Sequence, residues 1–225
     1  MHICIYEDSG YNNLLPMAYV RPVYDLFCGM VSIQEKLIRN FPQASLTLHT
    51  RSVLEKVVRD RYPDCLVNEF PAGLEEIVFI NGRTLLNSET VLHKLGKNQS
   101  FTINDKVVAA RLSGDQLSTI IKKVRNGITF DLDETTIEKQ KIDGVLVEYI
   151  WDLIQANSDQ IRSDFTFATE GRVGSVIDDG TVIQDQDVFI DKTAKIFPQV
   201  IVDGSNGPVF IDRNAVIQPH VYIQG

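Results

Sequence analysis

A sequence repeat near the C-terminal end places the strongest constraint on what this chain can fold into. Segment 190–202 recurs as 211–223 with six identical pairs: Ile190/Ile211, Asp191/Asp212, Ala194/Ala215, Ile196/Ile217, Pro198/Pro219 and Val200/Val221. An aliphatic residue returns every six positions within each copy. This period matches neither an α-helix nor an open strand. It fits a parallel β-helix whose hexads form three flat faces, and irregular β-hairpins with coincidental spacing are the alternative.

The same six-residue step extends toward the N-terminal side of the repeat. Ile177 and Ile183 are spaced in this way, so we expect the β-helix to begin near Val173. This predicts a second domain over 169–225 that is the start of a left-handed parallel β-helix. The sequence stops at Gly225 in mid-repeat, whereas solenoids normally carry a capping end. We therefore expect either a truncated β-helix from a longer protein or an end covered by oligomerisation, such as a homotrimer.

Strands and helices alternate over 1–168. His2–Tyr6 forms an apolar strand, and Ser32 and Glu35 have the spacing of a capping box, which predicts a helix over 32–41. Further strands are expected over 45–49, 65–67, 77–80, 100–103 and 107–112, and further helices over 50–62, 88–95, 117–126 and 147–161. The alternation predicts an α/β domain over 1–168 with a Rossmann-like, mainly parallel sheet and flanking helices. Ligands of such sheets lie beyond the carboxyl ends of the strands.

Two of these elements allow more detailed predictions. The strands on either side of 104–106 are expected to form a hairpin. Thr50 is expected to cap the following helix, with an apolar stripe formed by Val53, Val57 and Val58.

Composition and charge exclude several classes of protein. The formal net charge of −8 argues against a nucleic-acid partner, which would require a basic face. No apolar run approaches the length of about 18 residues that a membrane span needs, and the N-terminus lacks the basic start of a signal peptide. Cys4, Cys28 and Cys65 fit neither a zinc site nor a disulfide framework, which indicates a reducing compartment. We therefore expect a cytoplasmic protein with no membrane partner.

Short motifs follow the first strand. Leu14–Leu26 has the sequence LLPMAYVRPVYDL, followed by Gly29 and by Glu35–Leu37, and two later motifs are Phe79–Arg83 (FINGR) and Trp151–Asn157 (WDLIQAN). Together they resemble the sugar-1-phosphate nucleotidyltransferases, whose N-terminal signature is a strand, a loop, Leu-x-Pro-Leu-Thr-x-x-x-Pro-Lys-Pro and a helix. The resemblance is closer to a divergent branch similar to the bifunctional N-acetylglucosamine-1-phosphate uridylyltransferase/glucosamine-1-phosphate acetyltransferase, which carries a hexapeptide-repeat β-helix.

This resemblance implies that a sugar 1-phosphate attacks the α-phosphorus of a nucleoside triphosphate, with Mg²⁺ as cofactor, and releases pyrophosphate. It implies a catalytic role for Arg21, which matches the basic residue of the Pro-Lys element shifted by one position, and for Lys36, which could reach the same pocket. A surface ion pair is the alternative for Arg21, and a solvated helix face for Lys36. The nucleotide- and sugar-phosphate-binding residues that it implies are Asp8, Asn13, Leu14, Asn81, Gly82 and Arg83.

The chain departs from the family pattern at two places. The family's Gly-x-Gly-Thr-Arg loop is replaced by Glu7–Asn13, which contains one glycine. The family's metal-binding Gly-Asp is replaced by Asn81-Gly82-Arg83, and Arg83 would repel the ion. Asp8 could substitute as the metal ligand, although turn chemistry explains it equally well.

These departures leave three hypotheses open. The first is an active nucleotidyltransferase, and the second is a catalytically degenerate sugar-nucleotide-binding or assembly module. The third places all catalysis in the missing part of an acyltransferase β-helix, so that the present portion is a trimerisation and substrate-delivery element. His220 is the one histidine on the predicted β-helix and is either a base or a surface residue. Trp151 and Asp152 are interpreted as a packing residue and a helix-start acid rather than as a site.

Overall fold

The computed structural model describes residues 1–86, 89–133, 137–170, 182–184 and 187–225. The chain divides into two compact units, Met1–Ala156 and Asn157–Gly225. Within the described ranges, every helix is too short or too polar to span a lipid bilayer.

The elements alternate along the first unit and become short strands in the second. The α-helices are α1 Ile33–Arg39, α2 Glu55–Arg61, α3 Gly114–Arg125 and α4 Ile150–Thr169, and 3₁₀ helices cover Ser9–Leu14, Val23–Asp25, Ser52–Leu54 and Glu89–Lys94. The strands before α3 are β1 His2–Tyr6, β2 Phe27–Cys28, β3 Val31–Ser32, β4 Ser45–Leu48, β5 Leu66–Val67, β6 Glu76–Asn81, β7 Thr84–Leu86, β8 Gln99–Ile103 and β9 Lys106–Ser113. The later strands are β10 Glu138–Lys141, β11 Gly144–Leu146, β12 Val182–Gln184, β13 Val188–Ile190, β14 Lys195–Ile196, β15 Ile201–Asp203, β16 Val209–Ile211, β17 Val216–Ile217 and β18 Tyr222–Gln224.

Seven strands form one sheet in the order β10-β8-β9-β6-β1-β4-β5. Parallel pairing joins β1 to β4 and β6, β4 to β5, and β10 to β8. β9 runs antiparallel to both β6 and β8. Two short antiparallel pairs, β2 with β3 and β7 with β11, lie outside this sheet. The mainly parallel α/β sheet predicted from the sequence is confirmed.

Successive side chains of β1 enter two different apolar cores, one on each face of the sheet. Ile3 and Ile5 belong to one core, and Cys4 and Tyr6 belong to the other. The helices supply the facing residues: Ile33, Leu37 and Val58 from α1 and α2 in the first core, and Leu117, Ile120 and Val124 from α3 in the second. β1 is apolar throughout because both of its faces are covered, as in other parallel sheets. The predicted flanking helices are therefore present on both faces.

Local sequence signals fix three boundaries in this unit. The Glu35 amide donates to Ser32 Oγ at 3.2 Å and the Glu35 carboxylate accepts from the Ser32 amide at 2.8 Å, which is the predicted capping box of α1. Asn104 and Asp105 turn between β8 and β9 with φ of 50° and 63°, so the predicted hairpin is confirmed. α3 is followed by Gly127 at a φ of 58°, the left-handed conformation in which glycine commonly ends a helix.

The helix predicted after Thr50 begins later than its sequence suggests. A 3₁₀ turn comes first and α2 follows it, so Thr50 is not the cap. The predicted stripe is wrong at two of its three positions, because Val53 is 78% exposed and Val57 is also exposed. Leu54 and Val58, spaced i and i+4, are the residues buried against the core.

The strands of the two repeat copies pair in parallel and in the register of the sequence repeat, as in Ile190↔Ile211. β13 pairs with β16, β14 with β17, and β15 with β18, while β12 also pairs in parallel with β15. The aliphatic residues at the six-residue step lie in one apolar cluster: Ile190, Ile196, Val202, Ile211, Ile217 and Ile223. The predicted start near Val173, including Ile177, lies outside the described residues.

Candidate functional site

Loops from distant parts of the chain meet at the carboxyl edge of the seven-stranded sheet. β1 lies between β4 and β6, so the chain leaves β1 toward one side of the sheet and later returns on the other. Such a switch point opens a crevice beyond the strand ends, where α/β proteins bind their ligands. Glu7 and Asp8 follow β1, Thr50 and Arg51 follow β4, and Arg83 follows β6.

Asp8 and Arg83 form a buried ion pair at this edge. Arg83 Nε donates to Asp8 Oδ1 at 2.7 Å, and Arg83 Nη2 donates to Asp8 Oδ2. Asn81 Nδ2 also donates to Asp8 Oδ2, at 2.7 Å, and the Arg83 amide donates to Asn81 Oδ1 at 3.0 Å. Asp8 is 4% exposed, and Asn81 and Arg83 are 2% exposed. Burial by itself lowers the pKa of Arg83, but the hydrogen bonds and charge of Asp8 raise it, so the guanidinium stays charged in its buried position.

Two glycines allow this cluster to close. A Cβ at Gly10 would overlap the Arg83 guanidinium, with Nε only 2.8 Å away. A Cβ at Gly82 would lie 3.0 Å from a ring carbon of Tyr24 and 3.2 Å from the Tyr6 carbonyl oxygen. The single glycine of the first loop is therefore needed where its backbone crosses the guanidinium.

Glu7 holds a second buried charge next to Asp8. Its Oε1 accepts from the Val23 amide at 3.0 Å, and its Oε2 accepts from Thr50 Oγ1 at 2.9 Å and from the Arg51 amide at 3.0 Å. Arg51 Nε lies 3.7 Å from Oε2. Burial raises the pKa of Glu7, and Arg51 and the hydrogen bonds oppose that rise. Glu7 thus ties the loop after β4 to the segment before β2.

Arg51 fastens the segment that carries Arg21. Its Nη2 donates to the carbonyl oxygen of Ala18 at 2.6 Å and to that of Arg21 at 3.4 Å. Its guanidinium carbon lies 4.1 Å from the ring centroid of Tyr11, a cation–π distance. Sequence reasoning singled out neither Glu7 nor Arg51. The available signal was their position, since Glu7 follows β1 directly and Arg51 lies three residues after the end of β4.

A polar cavity of about 440 Å³ opens at the same edge of the sheet. β8 and β10 run in the direction of β1, because β9 is antiparallel to both β6 and β8. Their carboxyl ends supply the lining, which consists of Thr102, Ile103, Asn104, Asp105, Lys141, Ile142, Asp143 and Gly144. Lys141 Nζ lies 3.0 Å from Asp105 Oδ1 at its exposed rim. The motif analysis did not identify these residues.

The predicted site residues fall into two groups. Asp8, Asn81, Gly82 and Arg83 lie together in the cluster described above. The others lie elsewhere in the unit: Arg21 and Asn13 are exposed, Lys36 is buried on α1, and Leu14 is fully buried in the first core. The Lys36 side chain is therefore not on a solvated helix face.

The residues at the start of α4 differ partly from their interpretation. Asp152 Oδ2 accepts from the amides of Glu148 and Tyr149, each at 2.8 Å, so the helix-start acid is confirmed. Trp151 packs on Tyr149, with 4.6 Å between ring centroids, but its side chain is 56% exposed and lies outside the apolar cores. His220 is exposed, with a φ of 63°.

The Mg²⁺ implied by the resemblance does not fit Asp8 in this arrangement. Mg²⁺ needs carboxylate oxygens with free lone pairs, and the hydrogen bonds from Arg83 and Asn81 occupy three of the roughly four lone-pair sites of Asp8. The neighbouring guanidinium adds a fixed positive charge. Across the part of the chain that the structure describes, no three His, Cys, Asp or Glu residues form a group that could hold a metal ion.

A doubly wound sheet with polar loops converging at its switch point defines an α/β protein of the nucleotide-binding class. Residues 3–173 match the sequence profile of the family described as "Sugar nucleotidyl transferase". The match covers well over half of the 225 residues, so the chain belongs to this family and is a nucleotidyltransferase. The family resemblance seen in the motifs is confirmed.

Two solved structures are similar to the chain at low identity. One is a putative glucose-1-phosphate thymidylyltransferase from Bacillus anthracis in complex with a sucrose, with 12% identity, a TM-score of 0.46, and coverage of 72% of this chain and 95% of that one. The other is described as mannose-1-phosphate geranyltransferase from Thermus thermophilus, with 9% identity, a TM-score of 0.44, and coverage of 98% and 90%. No curated protein matches the chain.

Proposed function

We propose that this chain transfers a nucleotidyl group to a sugar 1-phosphate at the carboxyl edge of its seven-stranded sheet. The phosphate oxygen of the sugar 1-phosphate attacks the α-phosphorus of a nucleoside triphosphate, and the bond to pyrophosphate breaks. The observation that carries this proposal is the meeting of the loops after β1, β4 and β6 at the switch point of a family-matched domain. Such a reaction depends on positioning and on charge stabilisation more than on covalent help.

The polar cavity at the ends of β8 and β10 is the proposed position of the sugar. Its volume of about 440 Å³ lies within the usual range of small-molecule sites. Asn104, Asp105 and Asp143 offer hydrogen-bond acceptors to hydroxyl groups, and Lys141 offers a cation. The nucleotide then lies on the β1 side of the same edge.

Arg21 and Arg51 are the proposed source of positive charge for the phosphates. Arg51 forms an ion pair with Glu7 and donates a hydrogen bond to the carbonyl oxygen of Arg21. It therefore holds the backbone of Arg21 in place, while the Arg21 side chain is exposed. The guanidinium of an arginine whose backbone is held in place can form two parallel hydrogen bonds with phosphate oxygens. In this arrangement Arg21 stabilises the charge that develops on the leaving pyrophosphate, and Arg51 positions it.

The repeat unit is proposed to be the start of a left-handed β-helix, with the domain boundary near residue 168. Support comes from the three parallel strand pairs that join one repeat copy to the next and from the shared apolar cluster. By the same resemblance we propose a link to a bifunctional acyltransferase and to a homotrimer formed through the β-helix. A cytoplasmic location without nucleic-acid or membrane partners is proposed from the net charge and from the number and spacing of the cysteines.

A second candidate is a sugar-nucleotide-binding or assembly module without turnover. The observation that favours it is the buried Asp8–Arg83 pair, in which Arg83 belongs to the segment that replaces the family's metal-binding Gly-Asp. In that case nucleotide sugars bind at the sheet edge and no pyrophosphate is released.

The assay that separates these candidates measures pyrophosphate release from a panel of sugar 1-phosphates and nucleoside triphosphates. Turnover that falls at least about tenfold in Arg21→Ala supports transfer at this edge. Arg125→Ala, which removes an exposed arginine on α3, is the matched control and should leave turnover unchanged. Tight binding of nucleotide sugars without turnover supports the second candidate. The absence of both turnover and binding contradicts the two candidates and leaves catalysis to the β-helix.

A further inference from the structure

We infer that the guanidinium of Arg83 takes the place of a divalent cation at this sheet edge, so that Asp8 holds an internal cation instead of a metal ion. This inference rests on the proposed function, because only a nucleotidyltransferase is expected to bind a divalent cation at this edge. Its test does not use turnover, so the two can fail separately.

The first support is the set of hydrogen bonds that the Asp8 carboxylate accepts. The carboxylate accepts from Arg83 Nε and from Asn81 Nδ2, each at 2.7 Å, and also from Arg83 Nη2. A metal ion bound to Oδ2 would have to displace one of two hydrogen bonds, and a metal ion bound to Oδ1 would share that buried oxygen with the guanidinium. It would then lie beside a guanidinium that keeps its charge at every physiological pH, because the pKa of Arg83 is raised by Asp8.

The second support is that the guanidinium is held in place from several sides. Arg83 Nη1 donates to the Val147 carbonyl oxygen at 2.5 Å, and its backbone amide donates to Asn81 Oδ1 at 3.0 Å. The backbone of Gly10 crosses it so closely that a Cβ there would overlap it. Arg83 therefore cannot swing away without breaking contacts to the loop after β1 and to the segment before α4.

The third support is that the Arg83 guanidinium connects segments from three different parts of the chain. Asp8 belongs to the loop after β1, Asn81 to the end of β6, and Val147 to the segment after β11. A metal ion with ligands from several loops would join these segments in the same way. Any Mg²⁺ that takes part in turnover is accordingly not held by Asp8.

The test is a titration of the full chain with Mn²⁺ alone, followed by electron paramagnetic resonance and by NMR line broadening. The wild-type chain is expected to have no Mn²⁺ site at Asp8 with a dissociation constant below about 1 mM, the weak end of protein sites for divalent cations. Broadening centred on residues 8–10 of the wild type at lower Mn²⁺ concentrations would overturn the inference. Mn²⁺ bound at any other place leaves Asp8 with its internal cation, as inferred.

A second experiment compares Mn²⁺ binding by Arg83→Asp with that by Arg125→Asp, the matched control on the exposed end of α3. Arg83→Asp removes the cation and leaves two carboxylates facing each other, so it should bind Mn²⁺ at least about tenfold more tightly than Arg125→Asp. Equal Mn²⁺ binding by the two variants would overturn the inference. If circular dichroism shows that Arg83→Asp does not fold, Arg83→Gln replaces it and should still bind Mn²⁺ more tightly than the wild type, with equal binding again contradicting the inference.

A chain that binds no Mn²⁺ at Asp8 and releases no pyrophosphate would disprove the proposed transfer reaction and leave this inference standing. A chain that releases pyrophosphate and binds Mn²⁺ at Asp8 would do the opposite.

Discussion

The repeat unit and the carboxyl edge of the sheet differ in how far apart along the chain their contacting residues lie. In the repeat, each strand pairs with its own copy in the next repeat, and the contacts are apolar. At the sheet edge, Asp8 contacts Arg83 at a separation of 75 residues, and Glu7 contacts Thr50 at a separation of 43. The repeat is therefore held by periodic burial, and the edge is held by charges that only the completed sheet brings together.

This difference determines how each region responds to substitution. A buried charge that loses its partner is strongly destabilising, whereas a shortened apolar side chain leaves a cavity of limited size. The following predictions use this contrast, from the largest expected effect to the smallest.

Asp8→Ala is expected to lower the free energy of unfolding of the first unit by about 3–5 kcal/mol, because it leaves the Arg83 guanidinium buried without a partner. The measurement is urea unfolding at neutral pH. Asp105→Asn is the control, since Asp105 pairs with Lys141 in solvent and asparagine tolerates the left-handed backbone at this position, and it should change the same quantity by less than about 0.5 kcal/mol. Equal losses in the two variants would show that burial does not distinguish these pairs.

Val202→Ala is expected to lower the local stability of the repeat unit by about 2 kcal/mol, because Val202 is fully buried in the cluster that both copies share and its truncation leaves a cavity. Amide hydrogen exchange over 187–225 reports this loss. Val216→Ala removes the same atoms from a mostly exposed side chain and should have little effect. An effect of Val216→Ala as large as that of Val202→Ala would contradict the periodic burial.

His49 predicts a dependence of stability on pH at the sheet edge. Burial lowers its pKa to about 4 from the ordinary 6.5, and its ring packs against Phe130 with 5.0 Å between ring centroids. Below pH 6.5 the unfolded chain binds a proton that the native chain does not, so stability falls as the pH drops toward 4. The expected slope is about 1 kcal/mol per pH unit in that window.

His49→Phe should remove this contribution, and stability measured between pH 4 and pH 7 should then depend less on pH. His220→Asn is the control, because His220 is exposed and asparagine tolerates the left-handed backbone conformation at this position. An unchanged slope in His49→Phe would show that the His49 ring is not held neutral by its surroundings.

The smallest effect is expected at α1, where the contact joins residues within one helical turn. Ser32→Ala removes the hydroxyl that caps the helix and should cost about 1 kcal/mol in urea unfolding. Ser113 occupies the same position before α3 but makes no side-chain cap hydrogen bond, so Ser113→Ala should cost less. The reverse order would mean that the capping box does not stabilise α1.

Features set by neighbouring residues could be predicted from the sequence. The capping box of α1, the hairpin between β8 and β9 and the amphipathic α3 each depend on spacings of a few residues. The register of the repeat could also be predicted, because identical residues recur at a constant offset.

Features set by distant contacts could not be predicted in the same way. α2 begins after a 3₁₀ turn that the valine pattern does not show. β10 consists of exposed charged and polar residues. Lysines on an edge strand prevent it from pairing with another chain, but a strand without apolar residues gives no hydropathy pattern by which to predict it. The roles of Glu7 and Arg51 depend on a partner 44 positions away. The cluster of Asp8, Asn81 and Arg83 was found only through the family motifs.

The central claim, that ligands bind at the carboxyl edge of the sheet and not in the repeat, is tested most directly by amide hydrogen exchange of the full chain with and without UTP, with dTTP, ATP and GTP as further probes. We predict that a nucleotide slows exchange in the loops after β1, β4 and β6 and leaves the amides of 190–223 unchanged. Slower exchange confined to 190–223, with no change at the sheet edge, would contradict the account.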